Sequence, residues 1–309
     1  MDLLLVTNRE ILGDAKARKY GVGAFNLGNL EFIQAIAAAA EGERSPAIFA
    51  ASPGAMKYSG PENLYRIIEI YASKTDIPVS LHLDHSGTLE DVLVAIRAGF
   101  TSVMIDGSAL EFEDNLKITK KVVDVAHPVG VSVEAELGHI ESITETTTQR
   151  EREAVLTDPT EAKQFVEATG IDFLAVAIGT AHGAYKFKGT PKLAFDRLRE
   201  ITEVVDIPLV LHGASGVSEE IVGRGAKVGA QWKGATGVPD ADIQKAIKGG
   251  ISKINIATDL RLAFTCGVRE HLLAHPEVFK PDDYLTAGRD SVEEVVRGKM
   301  RLFGSSGKA

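Results

Sequence analysis

The chain has 309 residues, 44% of them hydrophobic and 25% charged, with 34 Lys and Arg against 43 Asp and Glu for a formal net charge of −9. This is a globular composition long enough to bury a large core, and its acidic balance, without a basic run, argues against nucleic acid or an anionic membrane surface as partner. One cysteine, Cys266, excludes an internal disulfide framework, and the lack of a signal pattern or an uninterrupted apolar run of ~20 residues predicts a cytoplasmic protein that does not span a membrane.

The elements follow one another regularly. The apolar run GVGAFNL (21–27) precedes NLEFIQAIAAAAEGE, whose apolar residues recur every three or four positions as in a helix covering a sheet. PAIFAAS (46–52) and PVSLHLD (78–84) come next, then LEDVLVAIRAGF, SVMIDG (102–107), NLKITKKVVDVAH and GVSVEAEL (130–137). DPTEAKQFVEATG, FLAVAIG (173–179), AFDRLREITEVV, PLVLHG (208–213) and ISKINIAT (251–258) complete the series. Eight Val-, Ile-, Leu- and Ala-rich runs alternating with amphipathic stretches predict an α/β protein, a (β/α)8 TIM barrel built as one domain over 1–309. An open doubly wound sheet is the alternative, but GVGAFN lacks its third glycine and acidic partner. Beyond Leu260, REHLLAHP and SVEEVVRGKMRLFG predict a helical extension over about 260–309 that packs on the barrel or on a second subunit. Cys266 falls in the helical pattern DLRLAFTCGVREHLL, which predicts a packed thiol. Two stretches exceed ordinary connections, the threonine-rich 139–157 and the glycine-rich 223–239, which holds the single tryptophan.

Barrels of this kind assemble their chemistry at the C-terminal ends of the strands. Those ends carry Asp84 and His85, Asp106, Glu134 and Glu136, His182 in GTAHG, His212, and Asn255, Thr258 and Asp259. Three imidazoles from three strands, with a coordination position left open, match a catalytic Zn2+ site. His82, alternating with the strand, is expected to support rather than ligate. Gly183 after His182, HGASG at 212–216 and NIATD at 255–259 place small residues and backbone N–H groups where a phosphate can be cradled without a basic patch.

Taken in order and spacing, HLDH, EAELG, AIGTAHGAYK, LVLHGASG and KINIATDLR closely resemble the class II, zinc-dependent fructose-bisphosphate aldolases, from YGVGAFN to the closing MRLFGSSGKA. The related tagatose-bisphosphate aldolases share most of these motifs. The resemblance implies cleavage of fructose 1,6-bisphosphate to dihydroxyacetone phosphate and glyceraldehyde 3-phosphate, with tagatose 1,6-bisphosphate as the alternative substrate. It implies that His85, His182 and His212 hold zinc, that Asp106 and Glu136 form an alternative metal position, and that Asp84 is the acid/base. Gly183, Gly213, Ala214, Ser215, Asn255, Ile256, Ala257 and Thr258 then correspond to segments binding dihydroxyacetone phosphate, and Asn26 and Ser52 to polar positions of the pocket. Some members also bind a monovalent cation, Na+ or K+, near the phosphate, and a homodimer or homotetramer is expected.

Three positions depart from the family pattern. Ser86 stands where HLDHG has glycine, and Ala257 where strand 8 often has aspartate, a feature shared with the tagatose enzymes. In the long loop SITET replaces the usual GIED setting, leaving Glu145 or Glu141 to supply the loop carboxylate. A Schiff-base aldolase would need a desolvated lysine at the reacting end; Lys253 is expected too early in its strand, and Lys186 and Lys188 in a loop. A metal-stabilised barrel used only as a binding scaffold is a further alternative.

Overall fold

A computed structural model describes residues 5–138, 155–180, 193–232 and 234–309. Eight parallel strands close into a barrel in sequence order. They are β1 Val22–Asn26, β2 Ala47–Ala51, β3 Val79–Ser86, β4 Ser102–Ile105, β5 Ser132–Leu137, β6 Phe173–Val176, β7 Leu209–Leu211 and β8 Ile251–Ile256. Each of the eight apolar runs supplies its strand, as a (β/α)8 barrel requires.

Strand alternation then sorts the side chains. Phe25, Phe49, Leu81, Val103, Val133, Leu174, Leu209 and Ile254 face the helices and join the large outer core. Val22, Ala24, Ile48, Ala50, Phe173, Ala175 and Val210 face the axis, where they pack on Ile11, Leu12 and Ala15 of the helix Asn8–Arg18. That helix closes the N-terminal mouth; its start is fixed by a reciprocal cap between Thr7 and Glu10, and Ser80 of β3 donates to the Asn8 side chain. The remaining strands place polar groups on the same inner column. His82 and Asp84 of β3, Ser102 of β4, Glu134 and Glu136 of β5, and Lys253 and Asn255 of β8 are all buried.

The expected C-terminal extension is two helices. Thr258–Ala274 leaves β8 directly and belongs to the eighth β/α unit, while Pro281–Phe303 packs across it and along the helix Leu30–Glu43. Gly288 makes the crossing possible, because a Cβ there would lie 2.7 Å from the Phe264 ring. The stretch expected as a loop over 223–239 begins inside the helix Glu219–Lys227, whose start Ser218 caps. Among the described residues no helix is long and apolar enough to cross a membrane.

Candidate active site

The site is built first from the end of β3. Pairing with β4 slips between Leu83 and Ser86, and His85 adopts φ +51°, a left-handed conformation costing a non-glycine residue about 1–2 kcal/mol. Such a bulge re-aims side chains, so two consecutive residues reach one cleft instead of opposite faces. Asp84 accepts hydrogen bonds from Asn26 Nδ2 at 2.7 Å and Asn255 Nδ2 at 2.8 Å. His85 Nε2 lies 2.7 Å from His212 Nδ1, with the two rings edge-on. Ligand-capable atoms of Asp84, His85 and His212 all fall within 4.8 Å of one another, as do those of His85, Asp106 and Glu136.

The electrostatics of this cluster call for a cation. Burial pulls the Asp84 carboxyl upward, but His85, Lys253 and His212 outweigh it and hold the group well below the usual carboxylate range. Burial also opposes protonation of His85, yet Asp84 and a 3.1 Å contact from Asp106 raise it to about 9. Asp106 is itself steadied by the backbone N–H and hydroxyl of Ser108. Burial first, and Asp106 next, push the Glu136 carboxyl well above its ordinary value, and its Oε2 is buried with no hydrogen-bond partner among the described residues. Two imidazole nitrogens in contact, three carboxylates beside them and an orphaned carboxylate oxygen are a donor set that fits a divalent cation taking nitrogen and oxygen ligands.

Below the cluster lies a second polar layer. His212 Nε2 meets Glu134 Oε1 at 2.6 Å, and Lys253 Nζ meets Glu134 Oε2 at 2.7 Å and His82 Nε2 at 3.3 Å. His82 Nδ1 in turn contacts Ser102 Oγ at 2.9 Å; burial, then the Lys253 charge, pushes the His82 imidazole down to about 3, so it is neutral. The position of Lys253 corrects the expectation drawn from its place in the strand. Although early in β8, it reaches up the barrel axis to within one residue of the histidine cluster.

The turn after β7 forms the opposite wall. Asp259 accepts the N–H of Gly216 at 2.9 Å and of Val217 at 2.7 Å, holding Val217 at φ +44°, an outlier for a β-branched residue. Ser215 Oγ accepts from the backbone N–H of Ala257 and Thr258 at 3.2 and 3.1 Å. Gly237 must be glycine because a Cβ there would sit 2.2 Å from the Ser215 carbonyl oxygen. Asn26, Ser52, Asp84, His85, Gly213, Ser215, Asn255, Ala257, Thr258 and Arg261 line a cleft of about 200 Å³. A larger hollow of about 410 Å³ lies behind the turn, against Lys299 and Asp240, with no histidine among its described lining residues.

A model of the family described as fructose-bisphosphate aldolase class-II matches residues 6–308. The chain belongs to the class II fructose-bisphosphate aldolase family. It is 53% identical over 306 residues to a fructose-bisphosphate aldolase of Thermus caldophilus, covering 99% of this chain and 100% of that protein. It is 48% identical to one of Giardia intestinalis, over 99% of this chain and 94% of the relative. Among solved structures, the YdjI aldolase from Escherichia coli K12 superposes with a TM-score of 0.80 at 35% identity over 99% of both chains.

Within this class II aldolase fold, the structure gathers Asn26, Asp84, His85, Asp106, Glu136, His212, Gly213, Ser215, Asn255, Ala257 and Thr258 around one mouth. Ser52 lines the cleft too, and its hydroxyl caps the helix Pro53–Ser59 by accepting from the Ala55 N–H. Ala214 lies buried in the turn, and Ile256 joins the outer core rather than the cleft, leaving its backbone alone to serve the site. His182, Gly183, Glu141 and Glu145 lie outside the described residues. Sequence reading left out Arg261, a cation on the cleft wall, and gave Glu134 and Lys253 no task. Arg261 could have been found one helical turn after Ala257, in the KINIATDLR motif already singled out.

Proposed function

We propose that the protein carries out the reversible aldol cleavage of fructose 1,6-bisphosphate to dihydroxyacetone phosphate and glyceraldehyde 3-phosphate, a cytoplasmic step of glycolysis and gluconeogenesis. The observation that carries the reading is the meeting of His85 Nε2 and His212 Nδ1, 2.7 Å apart beside the ionised Asp84, in a chain of this metal-dependent family. His85, His212 and His182 are assigned to hold Zn2+, with Asp106 and Glu136 as an alternative metal position. A divalent cation bound there supplies Lewis acidity toward a ketone oxygen, an effect of several kcal/mol on the barrier to breaking the neighbouring carbon–carbon bond.

The protein's own residues do the rest. Asp84, fixed on both oxygens by Asn26 and Asn255, takes the proton from the C4 hydroxyl in cleavage and returns it in condensation. Glu145, with Glu141 as the alternative, exchanges the C3 proton of dihydroxyacetone phosphate. Gly183, the 213–215 turn and the backbone of 255–258 bind the phosphate of that half, with Na+ or K+ assigned beside it. For this the ligand must displace the Ser215 hydroxyl from the Ala257 and Thr258 N–H groups, or share them with it. Arg261, an exposed cation at the rim, suits the second phosphate of the bisphosphate.

Tagatose 1,6-bisphosphate is the second substrate reading, favoured by Ala257, which lines the cleft where the family often places an aspartate. A homodimer or homotetramer is assigned as well, because Leu273 and Phe279, 67% and 84% exposed, leave apolar surface near the C-terminal helices. The test is turnover of both bisphosphates by zinc-loaded protein. Triose phosphate should form from the fructose substrate, stop on chelation, return with zinc, and survive borohydride added with dihydroxyacetone phosphate. Faster turnover of the tagatose substrate would transfer the assignment, and borohydride inactivation would replace it with Schiff-base chemistry.

A further inference from the structure

We propose that Glu134, braced from below by Lys253, is a positioning residue that fixes His212 as a neutral imidazole with its Nδ1 lone pair turned toward the metal site. The inference rests on the metal reading above and deepens it.

The hydrogen-bond directions follow from what each group can give. An ammonium only donates, so both contacts of Lys253 Nζ, at 2.7 Å to Glu134 Oε2 and 3.3 Å to His82 Nε2, are donations. His82 therefore accepts at Nε2 and carries its proton on Nδ1, where Ser102 Oγ receives it at 2.9 Å. The Glu134 carboxylate only accepts, so the 2.6 Å contact places the His212 proton on Nε2. Asn255 Nδ2, an amide nitrogen that only donates, lies 3.3 Å from His212 Nδ1, so Nδ1 is the accepting, lone-pair nitrogen, and it is the atom that faces His85 Nε2. Glu134, held by the Lys253 ammonium two contacts from His212, thus keeps the His212 proton on Nε2 and its lone pair on the nitrogen that faces the metal site.

Energetics argue that this layer is not there for stability. Glu134, Lys253, His82 and His212 are all 0% exposed, at positions where such barrels ordinarily stack branched aliphatic side chains. A buried ion pair is seldom more stable than the apolar residues it displaces. A carboxylate that orients a ligating histidine and raises its basicity gives the pair a purpose, and loss of such a partner typically weakens metal binding 10–100-fold.

The test compares wild type, Glu134→Gln and the double variant Glu134→Met/Lys253→Met. Zinc affinity is measured by chelator competition, melting of the metal-free protein by calorimetry, and the site by the visible spectrum of the cobalt form. The double variant should bind zinc about 10–100-fold more weakly and show shifted cobalt bands, while its metal-free form melts no lower than wild type. If it does not fold, Glu134→Gln, equal in size but uncharged, should still lose about tenfold or more in zinc affinity. Zinc affinity within twofold of wild type in either folded variant overturns the positioning role. Wild type that binds no zinc would instead overturn the metal reading itself, and the positioning role with it.

Discussion

His85 sits in a backbone conformation that its residue type disfavours, and the bulge that puts it there is the device that turns one strand end into a site. Its neighbour should separate binding from chemistry. Asp84→Ala is expected to retain zinc, measured by metal analysis, and to lose about 10²–10⁴ in turnover; turnover near wild type would remove Asp84 from the reaction. His212→Ala should lose both metal and activity. His85 also sets a pH dependence with two opposed signs. Its pKa in the metal-free protein is raised from 6.5 to about 9, so its contribution to metal-free stability is complete below about pH 6.5 and lost as pH rises through about 9. Zinc must displace that proton, so apparent affinity should climb up to about tenfold per pH unit across the same window and level off above it. Calorimetric titration in buffers of different ionisation heat should count about one proton released; an affinity flat across the window would contradict this. Asp84, His85 and His212 were legible because each ends a recognisable strand. Lys253 was not, since position along a strand does not reveal how far a long side chain reaches along the barrel axis, and nothing in KINI tells that its partner is Glu134.

Among elements, the turn after β7 shows how much a single carboxylate organises. Asp259 holds two consecutive N–H groups of that turn, and each would cost about 1–3 kcal/mol if left without an acceptor. Asp259→Ala is therefore expected to raise KM for the bisphosphate severalfold more than it lowers kcat, with zinc content unchanged; an unaltered KM would remove the turn from substrate binding. Val217→Gly relieves about 1–2 kcal/mol of left-handed backbone cost but empties a buried place beside Ile221, Leu262 and Cys266, a loss of about 2–4 kcal/mol, so calorimetric melting should fall; a rise would show that the strain outweighs the packing. The HGASG and NIATD motifs were readable as small-residue turns, but not the cross-link between them, because hydrogen bonds between Asp259 and residues 216–217 exist only once β7 and β8 are paired. Strand ends were read only approximately: run 208–213 shrinks to Leu209–Leu211, while β3 continues two residues past its run to Ser86 through the bulge that re-aims His85.

For the molecule as a whole, alternation of buried runs with amphipathic helices sufficed to specify the closed barrel, since each strand buried on both faces reads as continuously apolar. The polar half of the barrel interior was harder to read: Ser102, Glu134 and Lys253 share an inner column only by virtue of strand register. If Leu273 and Phe279 lie in a subunit contact, replacing both with glutamate should shift the species seen by light scattering to a smaller mass; no shift would place the contact elsewhere. The central claim is that histidines from β3 and from the end of β7 share one divalent ion beside Asp84. Anomalous diffraction at the zinc edge from zinc-loaded crystals addresses it most directly. The expected map has one strong peak about 2.0–2.1 Å from both His85 Nε2 and His212 Nδ1, and a peak elsewhere, or none, with those two rings turned apart would contradict it.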